Sequence, residues 1–369
     1  MKKRVALIFG TRPEAVKMAP VYLALKESPI EPFVIATAQH REMLDQVLDL
    51  FGIKPDFDLD IMQQRQSLSD LTSRLIHRLD EVYFENSFDA TLVQGDTTST
   101  FAGALVSFYH KVPVGHVEAG LRTDNIYDPF PEEINRRLNG VLSTYHYPPT
   151  EQAKRNLIRE GLPPERLVVT GNTVIDALLW TIDNKASLTT SFRKRLGLES
   201  ERYILMTMHR RENWGEPMRN VMLAIKDILR ECPDIQIVFP VHLNPAVRDV
   251  VYTELGDHDR VILTDPLEYL PFVSLMEKAF LILTDSGGIQ EEAPSLGKPT
   301  LVLRKTTERP EALEAGTARL VGTDRKKVLE NTMELFTNSD SYSKMATARN
   351  PFGDGKASER IVEHLLKVL

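Results

Sequence analysis

The chain has a single cysteine among its 369 residues. Cys232 on its own excludes an intramolecular disulfide framework and a thiolate metal cluster, and it fits a reducing compartment. Long apolar runs are also missing: nothing approaches the ~20 residues of a membrane span, so no membrane partner is expected. Met1-Lys2-Lys3-Arg4 imitates a basic leader, but the apolar run Val5 to Phe9 is short and ends in Gly10-Thr11-Arg12-Pro13-Glu14. It reads as a strand, not a secretory core, and cytoplasmic residence is expected. There is no basic excess. Forty-five Lys+Arg stand against 52 Asp+Glu, a net charge of −7, which argues against a nucleic-acid surface but leaves room for a local anion site. No G-x-G-x-x-G follows any apolar run, so a dinucleotide fingerprint is lacking and no cofactor is expected. Hydrophobic residues at 42% and charged residues at 26% are ordinary globular usage, and the length suggests two domains.

What is present is a recurring unit: a short apolar run, a Gly or polar turn, then a helical pattern. Strands are expected at Arg4–Phe9, Pro32–Thr37, Ala90–Val93 and Val112–Val117, with helices at Pro13–Lys26, His40–Phe51, Ser67–Tyr83 and Thr97–Tyr109. The pattern restarts with strands at Tyr203–Met208, Ile235–Val238, Val261–Leu263, Phe280–Thr284 and Thr300–Leu303. Helices at Met218–Glu231 and Pro245–Leu255, and one opening at Gly287, separate them. Such alternation predicts an α/β protein with parallel sheets covered on both faces, in two halves joined around Val168–Lys185. Two similar halves leave a cleft, where ligands commonly bind.

In open α/β sheets ligands gather beyond the carboxyl ends of the strands. Arg12 and Lys17, in Gly10-Thr11-Arg12-Pro13-Glu14-Ala15-Val16-Lys17, follow the first such end. Arg12 lies beside helix amides that attract anions, and Lys17 reaches the same place if its side chain turns back. Two solvated cations on a surface turn account for this segment equally well. Asp96, in Gln94-Gly95-Asp96-Thr97-Thr98, reads on its own as a helix cap. Glu118, closing Val114-Gly115-His116-Val117-Glu118, changes the weighting. A right-handed crossover puts both strand ends on one edge, so Asp96 and Glu118 are expected to converge. Two carboxylates on one crevice raise each other's proton affinity, as acid/base catalysis needs. Glu132 and Glu133 open a helix after Pro131; the helix dipole accounts for Glu133 and leaves Glu132 open to a further role. His116 suits a packed histidine as well as a ligand, and nothing has metal-ligand spacing.

The second half supplies the anion end. Ser286 can cap the helix after Phe280–Thr284, while Gly287 and Gly288 let a phosphate approach bare backbone amides. Glu292 can accept hydrogen bonds from a ribose; a tight turn with an acidic first turn is the structural alternative. His209 ends another strand where it can contact a diphosphate, whereas Arg210 and Arg211 read as a basic surface turn. Arg309 is a further cation on a loop, and Phe272 offers an aromatic edge to a base, although a core phenylalanine is commoner.

Together the segments resemble the non-hydrolysing UDP-N-acetylglucosamine 2-epimerases of bacterial type. The likeness runs from Phe9-Gly10-Thr11-Arg12-Pro13-Glu14-Ala15 and Ala38-Gln39-His40-Arg41-Glu42 through Gln94-Gly95-Asp96-Thr97-Thr98 and Gly115-His116-Val117-Glu118-Ala119-Gly120. It continues in Pro131-Glu132-Glu133-Ile134-Asn135-Arg136, Gly171-Asn172-Thr173-Val174-Ile175-Asp176, His209-Arg210-Arg211-Glu212-Asn213 and Thr284-Asp285-Ser286-Gly287-Gly288. The resemblance implies glycosyltransferase-B architecture: two Rossmann-like, doubly wound parallel-sheet domains facing a cleft. Residues 1–170 would carry the acids, completed by a returning C-terminal helix over 355–369, and residues 171–354 would bind UDP. It implies a homodimer that interconverts UDP-GlcNAc and UDP-ManNAc for cell-envelope polysaccharide supply. By the same likeness Asp96, Glu118 and Glu132 transfer protons and His209 acts near the diphosphate. Arg12, Lys17, Ser286, Gly287, Gly288, Glu292 and Arg309 bind nucleotide, Phe272 lies by the uracil, and a second UDP-GlcNAc activates through Gln39, His40, Arg65 and Gln66.

The chemistry is constrained in its own right. C2 of the sugar is not next to a carbonyl, so its proton is not acidic, and a redox route would call for the missing dinucleotide motif. Expelling UDP from C1 leaves oxocarbenium character that makes the C2 proton labile. A carboxylate takes that proton to give 2-acetamidoglucal, and a second acid returns one to the other face. A glycosyltransferase of the same fold is the nearest rival, but it needs only one base. A catalytically silent sugar-nucleotide sensor and a hydrolysing variant are the others.

Overall fold

The computed structural model describes residues 2–38, 41–63, 66–123, 125–198 and 202–369. The chain divides into two compact units, Met1–Trp180 with Phe352–Leu369, and Thr181–Pro351. Unit 1 is built on β1 (Arg4–Phe9), β2 (Glu31–Ala36), β3 (Phe57–Asp58), β4 (Ala90–Gln94), β5 (Val114–Val117) and β6 (Tyr145–Tyr147). All pairs are parallel, in the order β3-β2-β1-β4-β5-β6. Every residue of β1 from Val5 to Phe9 is fully buried, as expected when helices cover both faces of a parallel sheet.

Unit 2 repeats the plan with β7 (Tyr203–Thr207), β8 (Gln236–Pro240), β9 (Val261–Thr264), β10 (Leu281–Thr284), β11 (Thr300–Val302) and β12 (Ala318–Leu320). Its parallel order is β12-β11-β10-β7-β8-β9. Counted within each unit, both sheets run 3-2-1-4-5-6, the doubly wound order whose direction reverses between the first and fourth strands. The reversal falls between β1 and β4 in unit 1 and between β7 and β10 in unit 2. The expected α/β class and paired parallel sheets are therefore what the chain forms.

Sequence patterning missed β3, β6 and β12. Each is an edge strand of two or three residues, and Tyr-His-Tyr or Ala-Arg-Leu contains no apolar run to read. The expected join contains the helix Thr173–Arg195, whose regular dihedrals break at Lys185. The amphipathic C-terminal segment forms the helix Ala357–Val368 and packs on the helix Arg12–Lys26. Asp176, which is buried, accepts the Ala357 and Ser358 backbone N–H groups at 3.2 and 2.7 Å and so caps that helix from across the unit. No helix among the described residues is long and apolar enough to cross a membrane.

Candidate active site

In unit 1 the reversal point is locked by Glu14. Its buried carboxylate accepts the backbone N–H groups of Gly10 and Thr11 at 3.0 and 2.8 Å, and the hydroxyls of Thr97 and Thr100 at 2.5 and 2.9 Å. One side chain thus ties the turn after β1 to the turn after β4. Gly10 is obligatory there, because an added Cβ would lie 1.8 Å from Thr37 Oγ1. Arg12 opens the adjoining helix and is half-buried.

The acids sit on the neighbouring strand ends. Glu118 follows β5 with φ of +62°, a left-handed backbone that a non-glycine residue adopts at a cost, held by Glu118 and Ala119 N–H groups donating to the Tyr147 carbonyl. Its carboxylate, 8% exposed, takes Lys17 Nζ at 2.7 and 2.6 Å, Asn172 Nδ2 at 3.0 Å and a short hydrogen bond from Gln94 Nε2. Lys17 does turn back, and its described partner is an acid. Asp96 follows β4 and pairs with Arg136 at 2.7 Å, while its carbonyl accepts Asn135 Nδ2. Both partners come from the helix Glu132–Leu142, which begins at half-buried Glu132. Glu133 is wholly buried and bridges Thr123 N–H, Arg136 and Arg137, a structural role. Asp96 and Glu118 stand on adjacent strands, as the crossover argument required, but each carboxylate is matched to a cation. The expected mutual repulsion of two bare carboxylates is replaced by two ion pairs. His116 is packed: its Nε2 meets the Gly95 carbonyl at 2.7 Å, and burial pushes its pKa down to about 4.

In unit 2 the corresponding reversal is organised by Asp285, a residue that sequence reasoning quoted but gave no role. It is fully buried and accepts the His209 and Arg210 N–H groups at 3.0 and 2.9 Å and Asn213 Nδ2 at 2.9 Å. His209 Nδ1 lies 3.3 Å from Asp285 Oδ1, and burial holds this imidazole below its ordinary pKa while the carboxylate opposes the shift. The signal for Asp285 was its position, directly after an apolar strand and before Ser-Gly-Gly. Ser286, half-buried, precedes the helix Gly287–Glu292, and its N–H donates to Thr284 Oγ1. A Cβ on Gly287 would meet nothing nearer than the Arg309 guanidinium at 3.9 Å, so Arg309 lies against the glycine turn. Arg309 also pairs with Glu291, and Glu292 is nearly buried beside it in sequence. Phe272 is half-buried on the helix Tyr269–Lys278.

Of the expected activator contacts, Gln39, His40 and Arg65 lie outside the described residues. Gln66 accepts Arg74 Nη1 at 2.9 Å.

Two 3-2-1-4-5-6 parallel sheets, one with acid–cation pairs and one with a Ser-Gly-Gly turn at its reversal point, define a two-domain protein of glycosyltransferase-B type. A profile of the UDP-N-acetylglucosamine 2-epimerase family matches residues 23–366. The chain belongs to that family. It is 55% identical over 368 residues to UDP-N-acetylglucosamine 2-epimerase of Bacillus subtilis, covering 99% of this chain and 96% of that one. Against the Escherichia coli K12 enzyme of the same name it is 53% identical, covering 98% of each. A crystal structure of UDP-GlcNAc 2-epimerase from Neisseria meningitidis bound to UDP-GlcNAc superposes with a TM-score of 0.89 at 51% identity, covering 99% of this chain and 100% of that one.

Proposed function

We propose that this chain is a UDP-N-acetylglucosamine 2-epimerase that works by eliminating UDP and adding it back. The carrying observation is the set of acids at one sheet edge of unit 1: Asp96 and Glu118 on adjacent strand ends, and Glu132 opening the helix fastened to Asp96. Elimination across C1–C2 followed by protonation from the opposite face needs more than one carboxyl group, and a glycosyltransferase does not. The leaving diphosphate is taken by Arg12, by Arg309 beside the Ser286-Gly287-Gly288 turn, and by His209, whose imidazole is positioned by Asp285. Glu292 receives the ribose and Phe272 the uracil. The ion pairs of Asp96 and Glu118 with Arg136 and Lys17 hold both carboxylates in place until the sugar arrives.

The homodimer belongs to this reading. Ile134, Leu138 and Val141 form an exposed apolar stripe on one helix, Val141 at 83%, with Phe108 and Tyr109 exposed on the helix packed beside it. A second copy would cover this face. A second UDP-GlcNAc as activator near Gln39, His40, Arg65 and Gln66, cytoplasmic residence and supply of cell-envelope polysaccharide complete the proposal. Incubation with UDP-GlcNAc and no acceptor, followed by NMR of the products, tests it. UDP-ManNAc at equilibrium with UDP-GlcNAc is the expected outcome; free ManNAc or unchanged substrate contradicts it.

A further inference from the structure

Glu118 carries an unfavourable backbone conformation and a nearly buried charge, so its carboxylate must be held by its neighbours. Three donors on it are described, and they come from distant parts of unit 1: Lys17 from the first helix, Gln94 from the end of β4, and Asn172 from the segment after β6. Lys17 is a cation that a nucleotide diphosphate also attracts. The two amides differ from it, because neither carries charge and both are nearly buried, at 2% exposure each.

Asn172 is fixed at every one of its polar groups. Its backbone N–H donates to the Phe352 carbonyl at 2.6 Å, its Oδ1 accepts the Val174 N–H at 3.1 Å, and its Nδ2 donates to Glu118 Oε1 at 3.0 Å. The backbone on either side is equally constrained. Gly171 has φ of +91°, and a Cβ there would sit 3.2 Å from the Gly353 Cα, so glycine is the residue that lets the two segments lie side by side. With the amide plane set by the Oδ1 contact, Nδ2 has one direction to point. Gln94 is anchored in turn, since its carbonyl accepts the Thr100 hydroxyl at 2.6 Å in the turn that Glu14 locks.

We infer that Asn172 and Gln94 are positioning residues for the epimerisation, each fixing one oxygen of the Glu118 carboxylate and so setting the angle at which that carboxylate meets the C2 proton. They touch the acid and not the sugar, and they act through Glu118. The inference rests on Glu118 being a proton-transfer group, as proposed above. A misplacement of about 1 Å in a reacting group costs about a hundredfold in rate, which sets the effect to expect.

Asn172→Ser is the informative variant, because the serine hydroxyl can accept the Val174 N–H as Oδ1 does while the donor facing Glu118 is lost without adding charge. Gln94→Met, which keeps length and loses the donor, is the second. Steady-state kinetics with UDP-GlcNAc, UDP affinity by calorimetry and thermal melting are measured for both, alone and combined with Glu118→Gln. The expected result is kcat lower by about a hundredfold in each single variant, with KM and UDP affinity within about twofold of the parent chain. In the Glu118→Gln background, adding either change should lower the residual rate by less than about twofold, because the acid through which the amide acts is already gone. Single variants with kcat near that of the parent chain, or losses that multiply fully with Glu118→Gln, overturn the inference. A variant that melts below the assay temperature is judged by its partner. If Glu118→Gln itself leaves kcat unchanged, it is the reading of Glu118 as a proton-transfer group that fails.

Discussion

Units 1 and 2 share one strand order and differ in what they place at its reversal. In unit 1 the turns after β4 and β5 bring carboxylates, and each is met by a cation from a helix: Lys17 for Glu118 and Arg136 for Asp96. In unit 2 the turns after β7 and β10 bring a histidine, a serine and two glycines, and Asp285 beside them is fully buried and faces inward to backbone N–H groups. The same architecture therefore places ion-paired carboxylates at the reversal in one unit and a histidine with a Ser-Gly-Gly turn at the reversal in the other. Topology sets where the chemistry stands, and a few side chains set its sign.

The largest effect that tests this contrast is on turnover. Asp96→Asn or Glu118→Gln should lower kcat by about 10²–10⁴-fold, the range for losing a general acid or base, while UDP binding measured by calorimetry stays near that of the parent chain. Equal loss of binding and turnover would erase the division between the units. Next is Asp285→Ala. It leaves the His209 and Arg210 N–H groups without their acceptor and takes one of two acceptors from Asn213 Nδ2, so stability should fall by about 3 kcal/mol and UDP should bind at least tenfold more weakly, read by denaturant titration and calorimetry.

Gly287→Ala sharpens the comparison further. Nothing lies within 3.9 Å of the added methyl, and alanine favours the helix, so melting temperature should hold or rise slightly. UDP affinity should nevertheless drop by about tenfold, because the methyl fills the space a phosphate needs. An unchanged affinity would show that the turn does not take the diphosphate.

The smallest effect concerns pH and is read on two buried histidines of unit 1. Burial depresses His116 to about 4 and His146 to about 3, against an ordinary value of 6.5. Their folded pKa values lie below the unfolded ones, so the stability they confer is full above pH about 6.5 and is lost as pH falls toward about 4 for His116 and about 3 for His146. Melting temperature followed across this window should fall, and His146→Leu should flatten the curve, since it removes a buried imidazole that resists protonation in the fold.

Sequence reading located the buried strands because their apolar runs are continuous, and it located Asp96, Glu118 and Ser286 because strand ends are where open α/β sheets place ligands. It did not locate β3, β6 or β12, edge strands too short and too polar to show a period. It also could not show who holds whom. Glu14 and Thr11 carry a visible capping-box spacing, yet nothing in that spacing says the carboxylate also binds Thr97 and Thr100. The pairing of Lys17 with Glu118 joins residues 101 apart, and only the folded sheet brings them to 2.6 Å. Asp285 and Asn172 lay inside motifs that were legible, but their work depends on burial, which a motif does not display.

The central claim is that carboxylates of unit 1 exchange the C2 proton while UDP leaves and returns. Reaction of UDP-GlcNAc in heavy water, followed by NMR at C2, measures this directly. The account predicts rapid incorporation of one deuterium at C2 in both UDP-GlcNAc and UDP-ManNAc, abolished in Glu118→Gln or Asp96→Asn. Formation of UDP-ManNAc with the original hydrogen retained at C2, or no exchange at all, would contradict it.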